Sequence, residues 1–253
     1  MANQAKAGKI SRREFVRDIT LGRSLARPYG NRPPRRYFLI VCEGEETEPN
    51  YFNSIAAQLP KDMVNRITVK GVGRNTLHLI DAAKEEIAKR RAAGLPDYYY
   101  VWLVFDRDEF PADHFNRTID NVELINRQNA ALPPKARRCE HWMCAWSNEA
   151  FELWYVMHFR EQLGGAVARR QYQKMLEDDI RINTSESDFS YRKNDPRMFA
   201  RLRNYTPEAI HRAERALAKQ LKTKRTSWSE MNPATRVHEL VRLLMAYLQQ
   251  TKR

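Results

Sequence analysis

Apolar runs and helical repeats alternate through the first two-thirds of the chain. Four short runs rich in β-branched and aromatic residues predict strands at 36–42, 66–70, 98–105 and 141–146. Each run is followed by apolar residues at helical spacing, which predict helices at 49–58, 76–92, 113–129 and 148–160. Ser147 or Asn148 is the expected cap of the last helix. Alternation of this kind is typical of an α/β fold, so we expect a parallel sheet flanked by helices.

The pattern changes after Gly164-Gly165, where strand signals stop and helical signals continue. We expect helices at 166–177, 206–222 and 233–249, the last two capped by Thr206 and Asn232, with a connecting loop at 181–204. Residues at the N-terminus are polar and basic, which predicts a flexible arm. The expected organisation is a basic flexible arm, an α/β catalytic domain and a basic helical C-terminal region, at 1–34, 35–164 and 165–253.

The net charge of +13 is distributed unevenly. Residues 1–36 hold ten basic and two acidic side chains, and residues 165–253 hold nineteen basic and ten acidic ones. The residues between them hold fifteen basic and nineteen acidic side chains. Carboxylates collect cations and basic surfaces bind phosphates, so this layout favours a metal-dependent enzyme that acts on a polyanion. A protein of high pI without a nucleic-acid partner is the alternative.

Other classes of protein fit the sequence less well. No apolar run approaches the roughly 20 residues that a bilayer-spanning helix needs, so we expect no membrane partner. The three cysteines lack a Cys-x-x-Cys pair and lie in strand-like segments, which is typical of reduced core residues in a cytoplasmic protein.

Three carboxylates follow predicted strands. Asp106 and Asp108 come at the end of the strand at 98–105, and Glu43 follows the strand at 36–42. The ends of parallel strands line one edge of a sheet, where such folds bind their ligands. Two carboxylates held this close repel unless a cation lies between them, and Mg²⁺ prefers oxygen ligands. Glu43, Asp106 and Asp108 are therefore candidate ligands of Mg²⁺, for which Mn²⁺ can substitute, although Asp-x-Asp also occurs as a loop-capping turn.

These residues resemble two known families. Glu43-Gly44 after one strand, with Asp106-x-Asp108 after a later strand, is similar to the Toprim domain of topoisomerases, primases and OLD-type nucleases. The chain resembles the RloB family more closely, over roughly residues 36–250. Four stretches carry that resemblance: Phe38–Phe52, Val104–Asp108, Trp146–Trp154 and Asn232–His238.

The resemblance implies a Toprim fold, Mg²⁺-dependent cleavage of nucleic acid, and a role in bacterial anti-phage defence by abortive infection, often beside an ABC-type ATPase partner. It implies that Glu43 is a general acid/base or a metal ligand and that Asp106 and Asp108 are metal ligands. OLD-type nucleases bring a lysine to their metal site, and Lys193 is the candidate for it. The module that carries the topoisomerase tyrosine is not found in the sequence, which favours hydrolysis over strand passage.

Further side chains are candidates for the same chemistry. Glu152 lies in a very apolar predicted helix, so it must be paired, protonated or metal-bound. We interpret it as an accessory acid near the metal, in preference to Glu149 on the same helix face, and a buried partner for an arginine is the alternative. Arg74, in the turn after the strand at 66–70, is a candidate phosphate contact, although this Gly-x-Gly segment also fits a tight turn with an Asn or Thr cap. Arg192 and Lys193 follow an aromatic residue in a loop and are candidates for binding nucleic acid, although a solvated loop has the same composition.

Two other functions fit part of the pattern. A Toprim scaffold that binds nucleic acid or an ATPase without cutting would need no metal, but it would have no reason to keep repelling charges together. A phosphatase of the haloacid dehalogenase type also uses Asp-x-Asp after a strand. Its first Asp follows the first core strand, however, and Phe110 stands here where Thr or Val is expected. The sequence does not decide whether the substrate is DNA or RNA, whether the site holds one metal ion or two, or whether the chain forms a homo-oligomer.

Overall fold

A computed structural model describes residues 36–59, 67–73, 76–108, 111–138, 140–161, 167–223 and 227–250. The arm expected at 1–34, the candidate Arg74 and one cysteine, Cys139, lie outside the described residues. Arg36–Arg253 form one compact unit. The other two cysteines, Cys42 and Cys144, are buried and free, as the sequence predicts.

The centre of the molecule is a five-stranded sheet with the order β2-β1-β3-β4-β5. Its strands are β1 (Phe38–Cys42), β2 (Ile67–Gly71), β3 (Tyr100–Asp106), β4 (His141–Asn148) and β5 (Ala234–Thr235). The first four are parallel, and β5 pairs antiparallel with β4. Every residue of β1 and β3 is buried, which is the reason that both strands read as unbroken apolar runs. The predicted α/β class is therefore confirmed.

Helices connect and cover these strands. They are α1 (Thr47–Ala56), α2 (Leu79–Ala92), α3 (Ala112–Ala131), α4 (Glu152–Val156), α5 (Arg169–Asn183), α6 (Met198–Leu202), α7 (Thr206–Leu221) and α8 (Val237–Gln250). Buried aromatic side chains join the layers: the indole Nε1 of Trp154 in α4 donates a hydrogen bond to the hydroxyl of Tyr51 in α1, at 2.9 Å. Within the described residues, no helix is both long and apolar enough to span a membrane.

Several predicted boundaries are wrong. Ser147 and Asn148 do not cap a helix, because both belong to β4, and α4 begins only at Glu152. Glu149 therefore precedes the helix and does not share a helical face with Glu152.

The C-terminal region also differs from the prediction. The expected helix at 233–249 begins at Val237, because the residues before it form β5. Thr206 is the first residue of α7 and not its cap. The expected loop at 181–204 contains the end of α5 and the whole of α6.

A carboxylate cluster at the edge of the sheet

The carboxyl ends of β1 and β3 lie side by side. Cys42, the last residue of β1, is in register with Val104 of β3. Glu43 follows directly, and its backbone N–H donates to the carbonyl of Val104 at 2.9 Å. Asp106 is the last residue of β3. The register therefore places Glu43 and Asp106 at the same edge of the sheet, as the sequence predicts.

The carboxylate of Glu43 is held from two sides. The hydroxyl of Thr76 donates to its Oε1 at 2.7 Å, and the backbone N–H of Asp106 donates to its Oε2 at 3.2 Å. Burial raises the pKa of Glu43 above its ordinary value, and these two hydrogen bonds oppose that shift without cancelling it.

Asp106 and Asp108 share one cation, the guanidinium of Arg169. Arg169 Nη2 lies 3.1 Å from Asp106 Oδ2, and Arg169 Nη1 lies 2.9 Å from Asp108 Oδ2. Asp106 Oδ2 also accepts a hydrogen bond from the backbone N–H of Phe151 at 2.9 Å. Asp108 has a φ of 36°, a left-handed conformation that Asp tolerates better than most residues.

Asp106 is almost fully buried, with 6% of its surface exposed. Burial and the nearby Glu48 raise the pKa of Asp106 well above its ordinary value, although Arg169 opposes the shift. Its second oxygen, Oδ1, is buried and accepts no hydrogen bond from the described residues. The structure thus contains a buried carboxylate oxygen without a donor at the position where the sequence predicts a metal ligand.

Glu152 is buried close to the same carboxylates. It is the first residue of α4 and is 2% exposed, and its Oε2 is 3.8 Å from Arg169 Nε. Its Oε1 accepts hydrogen bonds from Gln173 Nε2 at 3.3 Å and from the hydroxyl of Tyr191 at 3.2 Å. Glu152 is thus both next to the candidate metal ligands and close to an arginine, so both interpretations of its burial have support.

Glu48 is a buried carboxylate that the sequence analysis did not select. It lies in the first turn of α1 with 5% of its surface exposed. Burial, with Glu152 and Glu43 nearby, raises its pKa to about 7. A Cβ atom at Gly44 would clash with Glu48 Oε2, so glycine at that position leaves room for the carboxylate. The sequence signal is weak, because a Glu in a first turn usually needs no explanation beyond the helix dipole.

Arg169 is the most important residue that the sequence analysis missed. It is the first residue of α5, and that helix has no acidic residue in its first turn. A positive charge is unfavourable at the N-terminus of a helix, so Arg169 and Arg170 depart from the usual charge pattern. That departure is the signal that could have singled out the position.

Two of the predicted nucleic-acid contacts lie in the described residues but do not pair with the carboxylates there. Arg192 and Lys193 are exposed, and among the described residues neither forms an ion pair with a carboxylate of the cluster. Their neighbour Tyr191 does reach the cluster through Glu152. In the turn after β2, the N–H groups of Val72 and Gly73 donate to the carbonyls of Cys42 and Glu43, so these two amides are already used.

We call Glu43, Glu48, Asp106, Asp108 and Glu152 the carboxylate cluster. In the part of the chain that the structure describes, no three acidic, His or Cys side chains are arranged as a ready metal site. The guanidinium of Arg169 lies among the carboxylates instead. The chemistry of these side chains nevertheless fits a hard cation, because all the candidate ligand atoms are carboxylate oxygens. One of them, Asp106 Oδ1, accepts no hydrogen bond from the described residues.

Comparison with known proteins adds the family. The family model described as RloB-like protein matches residues 38–244. The chain belongs to the RloB-like family. No curated protein and no solved structure matches it significantly.

The RloB-like region begins at the first residue of β1 and ends within α8. It therefore contains the whole carboxylate cluster, together with Arg169 and the exposed Arg192 and Lys193. The site and the sheet that positions it belong to the part of the chain that the family shares.

Proposed function

We propose that this RloB-like chain is a divalent-metal-dependent nuclease that hydrolyses phosphodiester bonds of DNA or RNA. One observation carries the proposal: at the carboxyl edge of the parallel strands, the Glu43 carboxylate accepts a hydrogen bond from the backbone N–H of Asp106, and Asp106 and Asp108 follow on the neighbouring strand. Such an edge is where α/β folds bind ligands, and phosphoryl transfer needs concentrated positive charge there.

Glu43, Asp106 and Asp108 are the residues that would hold Mg²⁺. The ion would supply charge to polarise the phosphate and to lower the pKa of an attacking water. Burial raises the pKa of Glu43, which suits a group that moves a proton, and the two hydrogen bonds that it accepts hold its carboxylate in place. Glu152 is buried beside these carboxylates and stays the candidate accessory acid.

The biological role that we propose is that of an effector of bacterial anti-phage defence in the cytoplasm, with an ABC-type ATPase as its class of partner. Its support is the family resemblance alone. Lys193 stays a candidate catalytic lysine and, with Arg192, a candidate contact to the nucleic acid, because both are exposed in the segment that brings Tyr191 to Glu152.

A second candidate function is a scaffold that binds nucleic acid or an ATPase without cutting. The observation that favours it is Arg169, which already pairs with Asp106 and Asp108. An ion-pair network of this kind can be purely structural. The two candidates differ in their need for a metal.

Cleavage of DNA and RNA with and without Mg²⁺ tests the proposal. We expect the wild type to cut only with the ion and Asp106→Ala to lose at least about a hundredfold in rate. Asp113→Ala is the matched control, because Asp113 is an exposed aspartate on α3. Equal cutting by the wild type and Asp106→Ala would reject the site. Calorimetry with Mg²⁺ and with Mn²⁺ tests metal binding without a partner protein, and the scaffold predicts no uptake of either ion.

A further inference from the structure

Arg169 is the one basic side chain that forms ion pairs with the carboxylate cluster among the described residues. In the described part of the chain, this single positive charge pairs with three of the five carboxylates. The Arg169 side chain is 27% exposed, so part of it can be reached from solvent.

The pairing leaves hydrogen-bonding capacity unused on both sides. Arg169 Nε is buried and donates to no acceptor among the described residues, since Glu152 Oε2 is 3.8 Å away. Asp106 Oδ1 also lacks a partner there. The guanidinium and the carboxylates would each be better satisfied by another ligand: a divalent ion for the carboxylates, and the oxygens of a phosphate for the guanidinium.

The position of Arg169 in α5 supports the same reading. It is the first residue of a helix of 15 residues, where the helix dipole disfavours a cation and favours an anion. The planar guanidinium fork also matches two phosphate oxygens, as it now matches one oxygen each of Asp106 and Asp108.

We propose that Arg169 is a substrate-binding residue of this site, which Asp106 and Asp108 hold until a divalent ion takes their oxygens, and which then binds the phosphate of the nucleic acid. The inference rests on the proposed function and adds to it a named substrate contact. Because the ion and the guanidinium repel each other and compete for the carboxylates of Asp106 and Asp108, metal binding favours the release of Arg169. Competition of this kind lowers the apparent affinity for the ion.

The proposal predicts effects of opposite sign for Arg169→Met. Without nucleic acid, we expect Mg²⁺ to bind about tenfold tighter than in the wild type by calorimetry, since the competitor is gone. With Ca²⁺ in place of Mg²⁺ to slow turnover, we expect binding of a fluorescent single-stranded DNA, or the RNA of the same sequence, to weaken about tenfold. Arg170→Met is the matched control, because Arg170 is the exposed next residue on the same helix.

The two binding measurements distinguish the proposal from its alternatives. A purely structural Arg169 would weaken both kinds of binding, and a simple block of the site would tighten Mg²⁺ without weakening the oligonucleotide; either result overturns the proposal while the metal site stands. No change in either measurement overturns it as well. If the wild type and Arg169→Met both fail to bind Mg²⁺, the proposed function fails together with the inference.

A measurement on the wild type covers the case in which Arg169→Met does not fold. The side-chain Nε–H resonance of Arg169 can be assigned by its loss in Arg169→Lys. We expect it to shift when Mg²⁺ is added and to shift again when the oligonucleotide follows. A resonance that moves in neither step shows that Arg169 stays with the carboxylates, which overturns the exchange.

Discussion

Glu43 accepts a hydrogen bond from the backbone N–H of Asp106, with 3.2 Å between Glu43 Oε2 and Asp106 N. This bond ties the first residue after β1 to the last residue of β3. It fixes the separation of two side chains that are far apart in sequence. The backbone of the sheet thereby positions the acidic groups before any ligand arrives, which is the arrangement that electrostatic catalysis requires.

Glu43→Gln tests that arrangement. The amide nitrogen of Gln cannot accept a hydrogen bond, so either Thr76 or Asp106 loses its acceptor, and the negative charge is lost. We expect a folded protein destabilised by about 1–3 kcal/mol, with Mg²⁺-dependent cleavage reduced at least about a hundredfold. Thermal unfolding and a cleavage assay measure the two effects. Glu45→Gln, an exposed change in the same loop, is the control and should behave as the wild type; full activity in Glu43→Gln would remove Glu43 from the mechanism.

Gly44→Ala tests the close approach of Glu48 to the backbone. The added Cβ would clash with Glu48 Oε2, so the carboxylate must move. We expect a loss of about 1–3 kcal/mol in the free energy of unfolding. The same change in a Glu48→Ala background should cost much less, because the clashing atom is absent. Equal costs in both backgrounds, measured by chemical denaturation, would contradict this account of Gly44.

The raised pKa of Glu48 predicts how stability depends on pH without divalent ions. Burial and the neighbouring Glu152 raise that pKa from 4.5 to about 7, so the folded state binds the proton more tightly than the unfolded chain. The contribution of Glu48 to stability is therefore complete below pH 4.5 and is lost as the pH rises through about 7. In EDTA, we expect the contribution of Glu48 to the free energy of unfolding to fall over this range by on the order of 3 kcal/mol.

Denaturation curves of Glu48→Gln across the same pH range check the assignment. The neutral amide should flatten the dependence on pH, leaving the part of the slope that Glu43 and Asp106 contribute through their own raised pKa values. Glu46→Gln, at an exposed position just before α1, should leave the slope of the wild type unchanged. An unchanged slope in Glu48→Gln would mean that Glu48 does not titrate in this range.

The exposed pair Arg192 and Lys193 predicts a salt effect on binding of nucleic acid. Each contact to a phosphate releases about one counterion, so replacing both residues with Gln should reduce the slope of log affinity against log salt by up to about two. Fluorescence anisotropy with a labelled oligonucleotide at several salt concentrations measures the slope. Replacing Lys219 and Lys222, two exposed lysines at the end of α7, is the control. A slope equal to that of the wild type would exclude Arg192 and Lys193 from the interface.

The fold was largely predictable because its signals are local. The buried strands β1 and β3 are unbroken apolar runs, and the helices between strands show helical spacing. The strand β5 was missed since Ala234 and Thr235 are too few to form a pattern, and they pair with residues almost ninety positions earlier. A contact over that distance leaves no trace in the periodicity of the segment itself.

The candidate site was predictable only in part, for a related reason. Glu43 and Asp106 could be placed together because both stand at the ends of parallel strands, and the ends of such strands meet at one edge of the sheet. Arg169 and Glu48 reach the cluster through helix packing, which depends on how α1 and α5 lie against the sheet. In the sequence, Glu48 is an ordinary first-turn glutamate and Arg169 is one of two successive arginines. Only the coordinates distinguish Arg169, which pairs with three carboxylates, from the exposed Arg170.

The pairing of β5 with β4 has a practical consequence. The hydroxyls of Ser147 and Thr235 lie 3.0 Å apart, and the N–H of Arg236 donates to the carbonyl of Trp146 at 2.8 Å. A fragment that stops before Ala234 would strip this cover from β4, the strand next to the one that carries Asp106. The backbone of Ser147 and Asn148 would lose its pairing strand, and unpaired strand edges of this kind favour aggregation. Shortened versions of the chain are therefore poor material for biochemistry on the acidic edge, even though every acidic group of interest lies in its first 152 residues.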